Sequence, residues 1–273
     1  MPIPQPLSLP LPTTVNCSIV FGDLPLLDRP AAAAAAGFDA VEFWWPFDGP
    51  VPSDREVEDF VSAVADAGVV LSGLNFDAGD MPGGDRGILS DPARAAAFAE
   101  NVEVAVEIGA RLGTTGFNAL YGNRMPGLAP EAQDELAATN LALAGRAAAG
   151  IGAVALLEPV SGVDAYPIRT ADDAVTVLDR VGSGDVALLL DVYHLAVNGD
   201  DPAAAITRHA ARIGHVQIAD APGRGEPGTG ELPIGALVEQ VHAAGYRGRI
   251  SLEYKPATAE PFAWLAHPQG ARA

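Results

Sequence analysis

The sequence contains little cysteine, few basic residues and no long apolar stretch. Cys17 is its only cysteine, so the chain can form neither an internal disulfide nor a zinc site built on cysteines. Its 16 Lys and Arg are outnumbered by 35 Asp and Glu, and a surface of that charge repels the phosphates of nucleic acids and of anionic lipids. No apolar run reaches the roughly 18 residues of a membrane-spanning helix, and the first residues lack the basic and apolar regions of a secretory signal. We therefore expect a cytoplasmic protein that binds neither nucleic acid nor membranes.

The composition predicts a folded domain after a short leading segment. Hydrophobic residues make up 49% of the chain and charged residues 19%, a balance that favours a packed core over disorder. The chain begins with a proline-rich segment. We expect residues 1–14 to form an extended or disordered lead and residues 15–273 to form a single domain.

Short β-branched or apolar runs alternate with alanine-rich stretches along the rest of the chain. Eight such runs predict strands at residues 15–20, 40–43, 69–75, 112–118, 154–158, 186–191, 213–219 and 249–253. Helix signals fill the intervals, among them the capping-box pattern from Ser53 to Glu56 and the proline at the start of a helix at Pro130. A last short helix is expected at residues 260–265. Eight strand–helix units predict an α/β fold with a single (βα)8 TIM barrel, and the rival doubly wound sheet is disfavoured because no segment is left for a second domain.

Four consecutive predicted strands, the fifth to the eighth, carry an oxygen-bearing polar side chain at or near their C-terminal ends. These residues are Glu158, Asp191, Gln217 and Glu253. The C-terminal ends of barrel strands form the rim that holds the active site, so the four side chains should converge. Converging carboxylates repel each other, and a divalent cation offsets that cost; carboxylate and amide oxygens suit Mg²⁺ or Mn²⁺. For each acid alone, the alternative is a helix N-cap or a solvated loop charge.

Several stretches match a known family, and they follow each other in the order of that family. They are Ala40-Val41-Glu42-Phe43, Leu157-Glu158-Pro159, Asp191-Val192-Tyr193-His194, the run from Gly214 to Asp220, Pro222-Gly223-Arg224, the run from Glu226 to Glu231, and Glu253-Tyr254-Lys255-Pro256. Together they resemble the hydroxypyruvate isomerase family of the xylose-isomerase-like barrels. The resemblance implies a metal ion held by the four strand-end residues, with Glu158 and Glu253 as the acid/base pair. It also implies the interconversion of hydroxypyruvate and 2-hydroxy-3-oxopropanoate (tartronate semialdehyde).

The chemistry of that reaction agrees with the residues at hand. Moving a carbonyl group between adjacent carbons passes through an enediolate, which needs a base and an acid on its two sides and a cation for its charge. Glu158 and Glu253 follow strands five and eight, so they approach the barrel axis from separate directions.

Four further residues are candidates for binding the substrate. His194 is expected to donate a hydrogen bond to a substrate oxygen, with packing against Tyr193 as the alternative. Arg224 is expected to bind the substrate carboxylate, and Lys255 is a second cation for the same purpose. Glu42 either orients a ligand or the substrate, or pairs with a neighbouring cation.

Other functions stay open at this point. An isomerase of 2-oxo-tetronate or a ketose 3-epimerase on the same scaffold would share the metal site. A barrel endonuclease for abasic DNA is disfavoured by the negative charge and by the count of five histidines, since that family uses more histidine ligands. A non-enzymatic metal-binding or ligand-sensing barrel would be marked by loss of one glutamate of the acid/base pair, and both are present. The expected partner is a small hydroxy-keto acid, and homo-oligomerisation is left open.

Overall fold

Eight parallel strands close into a barrel in sequence order, and strand β1 is hydrogen-bonded to both β2 and β8. The structure is a computed structural model that describes residues 6–266. Its strands are β1 (Thr13–Asn16), β2 (Ala40–Phe43), β3 (Val70–Asn75), β4 (Gly116–Asn118), β5 (Val154–Leu157), β6 (Val186–Asp191), β7 (Ile213–Ile218) and β8 (Ile250–Leu252). The predicted (βα)8 TIM barrel is therefore confirmed.

Helices cover the outside of the barrel and connect its strands. Within residues 6–266 they are α1 (Cys17–Val20), α2 (Arg29–Ala35), α3 (Asp54–Asp66), α4 (Ala95–Leu112), α5 (Pro130–Ala149), α6 (Ala171–Val181), α7 (Val192–Asn198), α8 (Pro202–His209) and α9 (Ile234–Ala243). Ser53 and Glu56 form the predicted capping box of α3, and α5 begins at Pro130 as expected. None of these helices is long and apolar enough to cross a membrane.

The strands are buried on both faces, because their side chains point alternately into the barrel and toward the helices. In β5, Ala155 and Leu157 are fully buried and Leu156 is 2% exposed. The close approach of α4 to the sheet depends on Gly109, where an added Cβ atom would lie 2.3 Å from the ring of Phe117. A larger residue at this position would push the helix away from the barrel.

The first strand begins and ends earlier than predicted. Residues 17–20, predicted as strand, form helix α1. The side chain of Asn16 accepts a hydrogen bond from the backbone N–H of Ser18 at 3.0 Å, so it caps this helix and ends β1. The predicted domain boundary after residue 14 therefore falls inside the strand, since Thr14 pairs with Ser251 of β8.

The described part of the predicted lead packs against the barrel. Leu9 and Leu11 are buried in the hydrophobic core, which stabilises an ordered path for this segment. The backbone of Leu7 donates to the carbonyl of Trp264 at 2.6 Å and accepts from the N–H of Ala266 at 3.0 Å. The packing of residues 6–14 disagrees with the disordered alternative of the prediction but not with the extended one. Residues 1–5 and 267–273 lie outside the described residues.

Two other element boundaries differ from the prediction. Strand β4 begins at Gly116, because α4 continues through Leu112 and ends at Gly113, whose φ of 78° is left-handed. Residues 260–265 form turns where a short helix was expected, and Leu265 makes an isolated parallel bridge with Leu7.

Candidate active site at the C-terminal rim of the barrel

The four polar residues predicted at the strand ends lie together at the C-terminal rim. Asp191 ends β6 and is the register partner of Gln217 in β7, while Glu158 and Glu253 directly follow β5 and β8. All four are at most 5% exposed. Closure of the barrel thus brings together residues that are far apart in the sequence.

Two of the three acidic side chains, those of Glu158 and Asp191, meet at one centre, and Arg224 lies between this centre and Glu253. Oxygens of Glu158 and Asp191 and a ring nitrogen of His194 all lie within 4.8 Å of one another. Arg224 connects Glu253 to this group, because its Nη2 is 3.1 Å from Glu253 Oε2 and 3.7 Å from Asp191 Oδ2. Three buried carboxylates around one point require compensating positive charge.

Asp191 uses its two oxygens for different purposes. Oδ1 accepts hydrogen bonds from the backbone N–H groups of Tyr193 at 2.8 Å and His194 at 3.2 Å, so it is the N-cap of α7. Oδ2 is buried and makes no hydrogen bond to any described residue. Asp191 can therefore be both the N-cap of α7 and a metal ligand, because each role would use a separate oxygen.

The two glutamates are also held by one oxygen each. Glu253 Oε1 accepts from Trp44 Nε1 at 2.6 Å and from Asn16 Nδ2 at 3.1 Å. Glu158 Oε2 accepts from Asn118 Nδ2 at 2.7 Å. These donors fix the carboxylate planes and leave Glu253 Oε2 and Glu158 Oε1 directed at the shared centre.

Glu42 lies one layer below the rim and holds Gln217. Its Oε2 accepts from Ser251 Oγ at 2.6 Å and lies 3.5 Å from Gln217 Nε2, and its Oε1 is 2.7 Å from His215 Nε2. Burial raises the pKa of Glu42, but His215 and the two hydrogen-bond donors outweigh burial and lower it, so the carboxylate stays ionised. An ionised carboxylate can only accept hydrogen bonds, so the amide nitrogen of Gln217 is assigned to the side that faces Glu42. Gln217 Oε1 is then buried without a hydrogen bond to the described residues. The contact of Glu42 with His215 fits the predicted pairing with a cation, and its contact with Gln217 fits the predicted orientation of a ligand.

The donor set fits a hard divalent cation. Burial raises the pKa of Glu158, Asp191 and Glu253, and for Glu158 the two other carboxylates raise it further. Among the described residues, Asp191 Oδ2 and Gln217 Oε1 are buried without a hydrogen-bond donor, and Glu253 Oε2 lies 3.1 Å from the guanidinium of Arg224. A cation bound there would satisfy these oxygens and offset the repulsion, and an all-oxygen donor set suits Mg²⁺ or Mn²⁺.

The hydrogen bonds of His194 make it a donor rather than a metal ligand. The N–H of Ser161 donates to its Nδ1 at 3.0 Å, so the ring proton is assigned to Nε2. Burial, followed by nearby guanidinium charge, lowers the pKa of His194 to about 3, which keeps the ring neutral. Nε2 is 3.8 Å from both Glu158 Oε1 and Asp191 Oδ2, and the ring packs against Tyr193 with centroids 5.3 Å apart. The packing alternative is thus observed, and the position also suits the predicted donation to a substrate oxygen.

Arg224 and Lys255 lie at the edge of the same centre. Arg224 has a φ of 56°, which is uncommon for a residue with a side chain, and its guanidinium lies 5.3 Å from the ring centroid of Tyr193. The N–H of Lys255 donates to the carbonyl of Arg224 at 2.8 Å, and the Lys255 side chain is exposed at the cavity edge. Both cations are therefore close to where the predicted substrate would bind.

A cavity of about 1040 Å³ opens above the carboxylates. Its lining includes Glu158, His194, Arg224, Lys255 and Glu253 together with Trp44, Trp45, Phe47 and Arg86. The sequence analysis did not select Asn16, Asn118 or Trp44 as site residues. Asn16 and Asn118 end β1 and β4, so the strand-end rule that selected the acids applies to them as well. No sequence pattern predicts the hydrogen bond from Trp44 to the carboxylate of Glu253.

Comparison with known proteins places the chain in a family. The profile described as xylose isomerase-like TIM barrel matches residues 30–270. A relative from Streptomyces coelicolor named "Putative hydroxypyruvate isomerase" is 52% identical and covers 95% of this chain and 96% of its own. The hydroxypyruvate isomerase of Escherichia coli is 31% identical, covering 90% and 93%, and the 2-oxo-tetronate isomerase of Cupriavidus necator is 34% identical, covering 92% and 95%. The chain belongs to the xylose isomerase-like TIM barrel family.

A solved structure supports the same assignment. The structure described as AP endonuclease, family 2, from Brucella melitensis has a TM-score of 0.84 and 30% identity, and the match covers 93% of this chain and 98% of that one. Two relatives that match nearly the whole chain are named hydroxypyruvate isomerase and 2-oxo-tetronate isomerase. The predicted resemblance to the hydroxypyruvate isomerases is confirmed, and so is the prediction of an isomerase.

Proposed function

We propose that the chain interconverts hydroxypyruvate and 2-hydroxy-3-oxopropanoate with Mg²⁺ or Mn²⁺ as cofactor. The observation that supports this proposal is the buried group of Glu158 and Asp191, to which Arg224 connects Glu253, with Gln217 beside Asp191 in the sheet. Asp191 Oδ2 and Gln217 Oε1 are buried and have no hydrogen-bond donor among residues 6–266. Relatives named for this reaction support the choice of substrate.

The four converging residues would hold the cation. When bound, a divalent cation polarises the carbonyl group and offsets the negative charge that develops on the enediolate oxygens. Asn118, Trp44 and Asn16 hold one oxygen of each glutamate, and Glu42 holds the amide nitrogen of Gln217, so that the amide oxygen is not engaged by this contact. The site is therefore organised by the protein before the substrate arrives.

Glu158 and Glu253 move the protons. One carboxylate removes a proton from the CH₂OH carbon of hydroxypyruvate, and a proton is returned to the former carbonyl carbon, while the hydroxyl proton passes from one oxygen to the other. The composition of the substrate is unchanged, as an isomerisation requires. Glu158 Oε1 and Glu253 Oε2 are suited to this task, because the opposite oxygen of each is held by a donor.

His194 and the cations at the edge bind the substrate. The neutral His194 ring donates from Nε2, which can stabilise an oxygen that gains negative charge but cannot bind a cation. Arg224 and Lys255 supply positive charge in a protein that carries a net charge of −19. The positive charge of Arg224 and Lys255 favours the approach of an anionic substrate.

A longer keto acid is the second candidate substrate. The cavity of about 1040 Å³ leaves room beyond a three-carbon acid, and a relative at 34% identity is named 2-oxo-tetronate isomerase. Both reactions would use the same acid/base pair and the same cation.

The test is proton exchange followed by NMR in D₂O with Mg²⁺ or Mn²⁺, offering hydroxypyruvate, 2-oxo-tetronate and ketohexoses in parallel. We expect deuterium to enter a keto acid at the two carbons between which the carbonyl group moves. Glu158→Gln and Glu253→Gln should each lower turnover by about 10³-fold, because an amide cannot accept the proton. Glu58→Gln, on the exposed face of α3, is the matched control and should leave the rate unchanged. Deuterium that enters only a ketohexose at C3 would establish a 3-epimerase instead.

A further inference from the structure

An anionic substrate needs a cation that is not already neutralised, and the cavity offers three. Arg224 is 3.1 Å from Glu253 and 3.7 Å from Asp191, so its charge is shared by two carboxylates. Lys255 is exposed, and its flexible side chain loses more freedom on binding than a fixed group does. The third cation is Arg86, on the loop between β3 and α4.

Arg86 is held by neutral groups and retains its full charge. Its Nη1 donates to the backbone carbonyls of Met81 at 3.0 Å and of Asp85 at 2.5 Å. Its Nε and Nη2 make no hydrogen bond, and the guanidinium makes no ion pair, with any residue in the described range 6–266. The adjacent carboxylate of Asp85 is engaged by Arg94 at 2.5 and 3.1 Å. Arg86 therefore presents unused donors at the cavity wall and forms no ion pair with the residues of the described range.

The loop that carries Arg86 is fixed in place. The carbonyl of Arg86 accepts from the N–H of Gly122 at 2.9 Å, and the next residue, Gly87, donates to the carbonyl of Ala78 at 2.9 Å. At Gly87 a Cβ atom would lie 1.9 Å from the carbonyl oxygen of Leu120, so the two loops are in close contact. A guanidinium held in this way loses little freedom when it binds a ligand.

Arg86 lines the same cavity as Glu158, His194 and Glu253. The acids and Gln217 belong to strands β5 to β8, whereas Arg86 follows β3, which lies opposite β7 in the closed eight-stranded order. A substrate whose reacting carbons lie near Glu158 and Glu253 can extend its remaining end across the cavity toward β3. For a keto acid, that end is a carboxylate, which a guanidinium binds with two parallel hydrogen bonds.

We infer that Arg86 binds the substrate carboxylate and makes the site selective for keto acids over uncharged ketoses of the same length. The inference rests on the proposed function, and it gives this role to a residue that no sequence pattern selected. Arg224 then acts mainly on the carboxylates of the site itself.

The experiment compares hydroxypyruvate with dihydroxyacetone, which has the same three-carbon skeleton with CH₂OH in place of the carboxylate. For Arg86→Gln, we expect kcat/KM on hydroxypyruvate to fall about 100-fold, mainly through KM, because a charge-assisted hydrogen bond pair is lost. Proton exchange into dihydroxyacetone should change less than about 3-fold. Arg86→Lys keeps the positive charge but lacks the planar pair of N–H donors, so it should recover part of the lost kcat/KM. Arg55→Gln, at an exposed position of α3, is the control.

Each result separates the two proposals. If the wild-type protein isomerises hydroxypyruvate and Arg86→Gln does so equally well, the role of Arg86 is wrong and the function stands. If Arg86→Gln loses activity on both substrates to the same degree, Arg86 is a structural residue and the inference is again overturned. If the wild-type protein acts on no keto acid and binds no D-glycerate in calorimetry, the proposed function itself fails, and the inference fails with it.

Discussion

Asp220, which follows β7 and is 1% exposed, provides a stringent test of the loop that carries Arg224. Its Oδ1 accepts from the backbone N–H groups of Ala221 and Leu232, each at 2.9 Å. Its Oδ2 accepts from Gly228 at 2.8 Å and Gly230 at 2.9 Å. One carboxylate thus closes the loop from residue 220 to residue 232.

The change Asp220→Asn keeps one acceptor oxygen and turns the other into a donor. Two backbone N–H groups would then face an NH₂ group, and each hydrogen bond to a charged acceptor contributes about 1.5–3 kcal/mol. We therefore expect a loss of about 3–5 kcal/mol in the free energy of unfolding. At about 2.1 cal/mol/K per residue, a chain of 273 residues unfolds with an entropy near 0.6 kcal/mol/K, so Tm should fall by about 5–9 °C.

The assay is thermal unfolding followed by circular dichroism, with Asp201→Asn as the matched control. Asp201 caps α8 through a single oxygen, which accepts from Ala203 at 2.9 Å and Ala204 at 3.2 Å. Asparagine retains that oxygen and is an equally good N-cap, so Tm of the control should change by less than about 2 °C. If Asp220→Asn shifted Tm no more than the control does, the account of this loop would be refuted.

Two further predictions concern the candidate metal site. Glu42→Gln should weaken Mn²⁺ binding by about 10- to 100-fold, because the amide of Gln217 loses the anion that orients it. A titration of free Mn²⁺ by electron paramagnetic resonance measures this affinity. An affinity equal to that of the exposed control Glu58→Gln would contradict the prediction. The second concerns pH. Burial raises the pKa of Glu158, Asp191 and Glu253, so their contribution to the stability of the metal-free protein is present at low pH and lost as pH rises through the raised values. Since a cation binds the deprotonated groups, Mg²⁺ should raise Tm more at about pH 8 than at about pH 5. An equal rise at both pH values would show that these carboxylates do not bind the cation.

Much of the fold and part of the site follow from local sequence patterns. The alternation of apolar runs with capped alanine-rich stretches predicts eight strand–helix units, because the side-chain periods of strands and helices are properties of the chain itself. Once the barrel is predicted, the ends of its strands become neighbours by topology. Glu158, Asp191, Gln217 and Glu253 could therefore be grouped from the sequence without any knowledge of their contacts.

Element ends were predicted less well, because they depend on single side-chain contacts. The first strand stops at Asn16, whose side chain caps the following turn instead of continuing the strand. The composition of the N-terminal segment predicts an extended or disordered lead, and the structure buries its Leu9 and Leu11 in the hydrophobic core. Neither outcome can be derived from local propensity, since each depends on what the folded barrel places nearby.

Only the tertiary structure decides how the polar groups of the site are oriented. Trp44 holds Glu253 across 209 residues of sequence, and Glu42 turns the amide of Gln217 across 175. The same holds for Arg86, whose guanidinium donates to backbone carbonyls and forms no ion pair with the described residues. A sequence determines which chemical groups reach the rim, because strand period and chain order are local properties. Which atom of each group faces the substrate is determined by hydrogen bonds between distant segments, and these exist only when the barrel is closed.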